Sequence, residues 1–559
     1  MGKGKRAAVI HCSQPPLSTT DVLSKPTTST DSVFLDGPSL YNCDAATLLP
    51  DEEQLLESAP LMTLVTTYIS YFILIVFGHI QDLLGSILDP ESFRHLRTQN
   101  GYAPISSGFD TFYHRRLYVR IRDCFNRPIT NVPGGTVHLL ERTSLDYNKT
   151  FQLSFLEWLV PFVQENKCIL AFYFTRIRLF TGKTREVLNL SSYNYLGFAQ
   201  NEGPCADAVQ TAIKKNGLIS CSPRLEAGSV ELHSQVERMV AKFLGQEDAI
   251  LFSMGFATNS TSLPSLVGKG DLVISDEFNH SSLVFGVRLS GASVKVFKHN
   301  DPIDLEAVLR DAIAQGQSRT HRPWKKIVVI IEGLYSMEGN ICNLPAIVDL
   351  KHKYKFYLYM DEAHSIGALG PNGRGVCDYY GIDPLEIDVC MGTFTKSFGA
   401  AGGYIAGKKE IVDHLRLTSH SAVYAEAMPI PILQQVYTSM RIIMGEICGD
   451  EGRHRIQTLA RNSRFFASEL RKMGFIVYGR DSPVIPLLLF HPAKIPAFSR
   501  EMLKRGIAVV VVGYPATPII TSRVRFCISA AHSLADLEWA LEQISEVGDI
   551  LGLKLRVGA

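Results

Sequence analysis

From about residue 190 onward the chain repeats one pattern: a short apolar, β-branched run, a glycine-bearing turn, then a helical stretch. The runs are AILFS (249–253), DLVIS (271–275), VKVFK (294–298), KIVVIIEG (326–333), FYLYMDEAH (356–364) and VCMGTF (389–394). Runs without polar alternation belong to strands covered on both faces, so they predict an α/β domain around a mostly parallel sheet. In such sheets chemistry gathers at the carboxyl ends of the strands. The tail from about 425 adds a helical stretch, two strand-like runs (VIPLLLF and AVVVVG) and a closing amphipathic helix near 534–552, the outline of a smaller α/β domain. A chain of 559 residues is too long for one ordinary core. The expected order is a flexible leader (1–57), a membrane helix (58–84), an N-terminal segment (85–190), a large cofactor-binding domain (191–424) and a C-terminal small domain (425–559).

The leader is rich in Ser, Thr, Pro and Asp, and no basic region followed by an apolar core, the mark of a secretory signal peptide, is expected at its start. Composition then changes abruptly: Ser58 to Gln81 carry no Asp, Glu, Lys or Arg. Roughly 20 apolar residues suffice to cross the hydrocarbon layer, so this segment is long enough to span. Its Thr, Ser, Gly and Tyr residues also suit a helix lying in the membrane plane. Acidic residues precede it (Asp51, Glu52, Glu53, Glu57), whereas Arg94, Arg97, Arg115 and Arg116 follow, which places the C-terminal body in the cytosol. The 11 cysteines are scattered, without a CxxC pair or a Cys/His cluster, so they read as reduced thiols and no metal site is expected. A net charge of +1 and the lack of a basic-aromatic tract give no reason to expect nucleic-acid binding.

Two clusters carry chemistry. In MDEAHSIGALG (360–370) a hydrophobic strand delivers Asp361 and, three residues on, His364. In GTFTKSFGAAGGYIAG (392–407), Lys396 sits among small and hydroxylated residues at the end of another apolar run. A lysine and a strand-end carboxylate together suit pyridoxal 5'-phosphate (PLP), which needs an amine to hold its aldehyde and a carboxylate to keep its pyridine nitrogen protonated. On this reading His364 contacts the 3-oxygen, and Thr393 and Thr395 serve the phosphate or orient Lys396. Ser253, Gly255 and Phe256, in SMGFATNS, form a strand-to-helix turn suited to an anion. His280, in DEFNHSSL, is placed to stack on the ring or to be a core histidine. The stretch Gly402–Lys409 has the spacing of a P-loop but lacks its closing hydroxyl, and its flanking GYIAG reads as a strand.

These motifs, with YVRIRDCFNRPI (118–129), SSYNYLGFA (191–199), RPWKKIVVIIEGLYSMEG (322–339) and GYPATP (513–518), resemble the α-oxoamine synthases, PLP enzymes of fold type I. Within that family the chain is most similar to the catalytic, long-chain-base 2-type subunits of serine palmitoyltransferase. The resemblance implies a decarboxylating condensation of L-serine with a long-chain acyl-CoA, such as palmitoyl-CoA, at the endoplasmic reticulum membrane. It also implies a heterodimer with a sister subunit that lacks the lysine. Carried over by motif, Lys396, Asp361, His364 and His280 are the catalytic and cofactor-binding residues, Arg525 takes the serine carboxylate, and Asn194 lies in the substrate pocket. Two departures stand out. Pro223 occupies a turn where the family pattern has no proline. Residues 154–180 interrupt a junction that the family makes almost directly, as either a retained intron or a lineage-specific insertion.

Overall fold

The computed structural model describes residues 60–88, 90, 93–104, 111–142, 180–479 and 481–555. The leader, and the interruption at 154–180 apart from its last residue, lie outside the described residues.

A long helix, α1 (Leu61–Leu88), comes first, and two antiparallel strands follow, β1 (Thr136–Arg142) and β2 (Phe180–Asn189). The large sheet then builds up from β3 (Asp248–Phe252), β4 (Leu272–Asp276), β5 (Ser293–Phe297), β6 (Ile327–Glu332), β7 (Tyr357–Asp361), β8 (Val389–Thr393) and β9 (Gly403–Gly407). Its order is β3-β9-β8-β7-β6-β4-β5. Neighbours are parallel except that β9 runs against both β3 and β8. This is the fold type I architecture, and each predicted run supplies a strand. The uninterrupted apolar runs follow from double coverage: Ile274, Val329, Ile331 and Met360 face one hydrophobic cluster, while Val273, Val328, Ile330 and Tyr359 face another. The exception is β5 at the edge, where Val294, Lys295 and Val296 are exposed.

The C-terminal part holds β10 (Val484–Leu488), β11 (Ile507–Ala508), β12 (Val510–Val512) and β13 (Arg523–Cys527). AVVVVG, one strand by its pattern, is two. β11 pairs in parallel with β2, and β12 pairs with β13 in the sheet β10-β13-β12. One small sheet, β1-β2-β11, is therefore drawn from both the 85–190 stretch and the C-terminal tail. The closing helix spans Leu534–Leu551, capped by Ser533, whose hydroxyl accepts from the Asp536 amide.

Candidate active site

All strands of the large sheet but the antiparallel β9 end on one side, and several of the predicted residues lie at or just beyond those ends. Asp361 is the last residue of β7 and Glu332 the last of β6, directly opposite each other in register. Thr393 closes β8. Beyond β3 the chain turns through Ser253 into α2 (Gly255–Leu266), and beyond β4 it reaches His280, which caps α3 (Ser281–Ser290).

Asp361 is buried and held at both oxygens: Asn259 Nδ2 donates to Oδ2 at 2.7 Å, and the Ala363 amide donates to Oδ1 at 2.9 Å. Asn259 is locked in turn, because the Tyr359 hydroxyl donates to its Oδ1 at 2.7 Å and its Nδ2 also reaches Ser282 Oγ at 3.0 Å. This buried amide lies in a glycosylation sequon, Asn259-Ser260-Thr261, but is committed to the carboxylate.

Lys396 projects from the turn after β8, anchored on either side by the buried rings of Phe394 and Phe398. Ser397 Oγ donates to the Ile366 carbonyl at 2.7 Å, tying this turn to the one that carries His364. Gly399, at φ +61°, packs against the Phe198–Ala199 backbone, where a side chain has no room. Burial lowers the Lys396 ammonium to about 8, a shift that the Asp361 and Glu332 carboxylates oppose and Arg525 reinforces.

His364 is buried, and its Nδ1 is hydrogen-bonded to the Tyr195 hydroxyl at 2.8 Å. Burial, with Lys396, Arg525 and His280 nearby, holds its imidazole well below the usual range, so the ring is neutral. His280 is exposed on its outer side. Its Nδ1 pairs with Ser282 Oγ at 2.7 Å, and its backbone amide donates to Glu332. Phe256 stands edge-on to it, 6.2 Å between ring centroids. Tyr193 joins the cluster: Arg525 lies over its ring at 4.7 Å, Lys396 Nζ at 5.8 Å, and His364 meets it edge-on at 5.1 Å. Arg525 is buried, donates through Nη1 to the Ser336 carbonyl at 3.3 Å, and leaves Nε without a hydrogen-bond partner.

Residues 185–544 match the family model for aminotransferase class I and II. The serine palmitoyltransferase 2 of Schizosaccharomyces pombe is 51% identical, over 89% of this chain and 78% of its own length. That of Dictyostelium discoideum is 50% identical over 88% of this chain and 94% of its own. The chain belongs to the serine palmitoyltransferase family. Among solved structures, a serine palmitoyltransferase described with its PLP internal aldimine superposes with a TM-score of 0.61, at 29% identity, covering 67% of this chain and 90% of that one. The Sphingomonas wittichii serine palmitoyltransferase gives 0.61 at 28% identity, covering 71% and 99%.

Within this member of the serine palmitoyltransferase family, the structure brings Lys396, Asp361, His364, His280 and Arg525 into one cluster. Thr393 is buried at the end of β8, and Thr395 Oγ1 donates to Thr393 Oγ1 at 3.2 Å. The Asn194 amide is engaged elsewhere: it donates to the Pro133 carbonyl at 3.0 Å and accepts from the Ala199 amide at 3.2 Å, shaping the turn that presents Tyr193 and Tyr195. Four residues in the cluster lie within the quoted motifs, yet their roles are not legible from the sequence: Asn259, Glu332, Tyr193 and Tyr195. One signal existed for Asn259's partners. Tyr359 and Asp361 alternate on one face of β7, so both reach toward the same neighbouring helix.

Proposed function

We propose that this chain is the catalytic subunit of a serine palmitoyltransferase. It condenses L-serine with palmitoyl-CoA to give 3-ketodihydrosphinganine, CO2 and CoA, the entry step of sphingolipid biosynthesis, with PLP as cofactor. The observation that carries this reading is the grouping of Lys396, Asp361 and His364, beyond the strand ends of the large sheet, with Arg525 of β13. The residues fit the cofactor: a half-buried amine shifted toward its neutral form, a doubly held carboxylate, an imidazole on the open side, and a helix N-terminus.

In this scheme Lys396 would hold PLP by its aldehyde, Asp361 would keep the pyridine nitrogen protonated, His364 would serve the 3-oxygen and His280 the ring. Ser253, Gly255 and Phe256 at the head of α2, with Thr393 and Thr395, would hold the phosphate. When bound, PLP supplies the electron sink that makes serine's α-proton removable. Arg525 binds the serine carboxylate through its planar fork. The Lys396 amine, shifted toward its neutral form, would be the base that accepts the α-proton. The serine α-carbon then attacks the thioester carbonyl, the CoA thiolate leaves, and the carboxylate departs as CO2.

The setting follows from α1. One helix, Leu61–Leu88, is long and apolar enough to cross a membrane. It is docked on the body along its length. Leu64 packs on the cluster of Ile476, Tyr478, Leu488 and Phe490, Tyr71 reaches Ser522 at 3.3 Å, and Asp82 pairs with Arg115 at 2.7 Å and Arg116 at 2.6 Å. The opposite face exposes Ile69, Phe72, Ile73, Phe77, Ile80, Leu83 and Leu84. A helix about 42 Å long that is fastened lengthwise favours the in-plane arrangement, its apolar face in the endoplasmic reticulum membrane and the catalytic body in the cytosol. Free thiols such as Cys342, Cys377, Cys390 and Cys527 suit that compartment. The partner is the lysine-less sister subunit. Exposed Met254, Phe256, Phe285, Leu289 and Tyr424 make an apolar rim on the side where His280 is open, suited to a second subunit.

The test is product analysis with the full chain co-purified with its sister subunit. Serine labelled at C1 should release its label as CO2, and serine labelled at C3 should retain it in a long-chain ketone. A ketone that keeps the C1 label refutes the decarboxylating reaction.

A further inference from the structure

Arg525 and Arg523 alternate on β13, so both leave the same face of the strand, toward the loop after β6. They grip successive carbonyls of that loop. Arg525 Nη1 donates to Ser336 O, and Arg523 Nη1 donates to Met337 O at 2.7 Å. Each guanidinium also lies on a tyrosine: Arg525 over Tyr193, and Arg523 over Tyr478 at 5.3 Å.

They differ in what is left over. Arg523 is only 1% exposed, and its contacts are internal: Nε donates to the Thr521 carbonyl at 2.8 Å, and Nη1 also meets Glu338 Oε1 at 3.2 Å in a buried ion pair. Glu338 belongs to the same loop, so the pair joins the loop after β6 to the C-terminal sheet. At the loop's next residue, Gly339 (φ +69°), a side chain would strike the Val484 carbonyl of β10. Arg525, by contrast, touches the loop through one carbonyl and the Met337 sulfur at 3.7 Å, and keeps Nε unpartnered. A guanidinium that must receive a carboxylate cannot also fix the loop it rests on.

We propose that Arg523 and Glu338 are positioning residues for amino-acid binding: their buried pair fixes the Ser336–Met337 backbone, and that backbone sets the orientation of the Arg525 fork. This rests on the reading of Arg525 as the carboxylate site. Arg523 touches no substrate and acts only through Arg525. A buried ion pair is weak evidence for net stability, whereas fixing one arrangement is a use that such pairs serve.

The experiment measures serine dissociation constants by titration calorimetry on the full-chain complex carrying E338Q, R523K, R525K, or R523K with R525K. A lysine keeps the charge of Arg523 but cannot reach Met337 O, Thr521 O and Glu338 together. R523K should weaken serine binding about tenfold, the equivalent of ~1.4 kcal/mol. E338Q should weaken it in the same direction while leaving the fold intact by near-ultraviolet circular dichroism, which keeps the test decisive if R523K folds poorly. Palmitoyl-CoA binding should be unchanged by either. In the R525K background, R523K should add less than about twofold, since residues acting through one group are not additive. Additive losses, or wild-type serine affinity in E338Q and R523K while R525K is impaired, overturn the proposal. Wild-type affinity in R525K removes the carboxylate assignment itself and this inference with it.

Discussion

The depressed basicity of Lys396 has a direct kinetic consequence. Only the neutral amine can attack an aldehyde, and burial brings this ammonium down to about 8. At pH 7 roughly one amine in ten is then neutral, against about one in 2,500 for a lysine of ordinary pKa near 10.4. The difference is about 250-fold, or ~3.3 kcal/mol, since each pKa unit is worth about 1.36 kcal/mol. The perturbation is pH. Apo-chain mixed with PLP in a stopped-flow spectrometer should capture the aldehyde at a rate that rises with pH and levels off above a midpoint near 8. Asp361→Asn supplies the sign check. The carboxylate stabilises the ammonium, so removing it should move the midpoint to lower pH. A wild-type midpoint above 10, or an Asp361→Asn midpoint displaced upward, would refute the electrostatic reasoning.

The same shift is linked to stability. Because the folded pKa lies below the unfolded one, the unfolded chain binds more protons between about 8 and 10.4, so apo-protein stability should rise with pH through that window. Lys396→Met should flatten this rise and, at pH 7, stabilise the apo form by up to ~3 kcal/mol in urea unfolding. Asn259→Ala leaves the buried Asp361 without its 2.7 Å donor. It should cost about 2 kcal/mol of stability and accelerate PLP loss on dialysis, whereas unchanged retention would show that Asn259 is not needed to hold the carboxylate. Tyr195→Phe removes the partner of His364 Nδ1. Thermal unfolding should register about 1 kcal/mol or less, and the absorbance of the bound cofactor should change, which a purely structural tyrosine would not cause. Phe72→Lys with Leu83→Lys, on the exposed face of α1, should abolish flotation with vesicles without altering the melting temperature; intact flotation would contradict the in-plane helix.

The strands of the large sheet were legible because double burial writes itself as unbroken apolar runs, and the strand-end positions of Asp361 and Thr393 followed from them. The edge strand β5 carries its own mark, because Lys295 interrupts the run VKVFK where the central strands stay apolar. AVVVVG could not be divided by its pattern, because the division is made by pairing partners far away in sequence, β2 for one half and β13 for the other. Of the site, the residues with a distinctive chemical need stood out: a lysine among glycines, and an Asp and His after a strand. Those that hold them did not. Asn259, Arg523 and Tyr193 each act through contacts that only the folded chain creates. The span 58–84 was legible as apolar, but its disposition depends on Tyr71, Gly78 and Asp82, which mark a docked stripe only once their partners are in place.

The central claim is that Lys396 is the anchor of the cofactor. Borohydride reduction of the holo-complex, followed by peptide mass spectrometry, should place a single pyridoxyl group on the peptide containing Lys396. A pyridoxyl group on another lysine of this chain, or none on this chain while the complex turns over serine, would contradict the account.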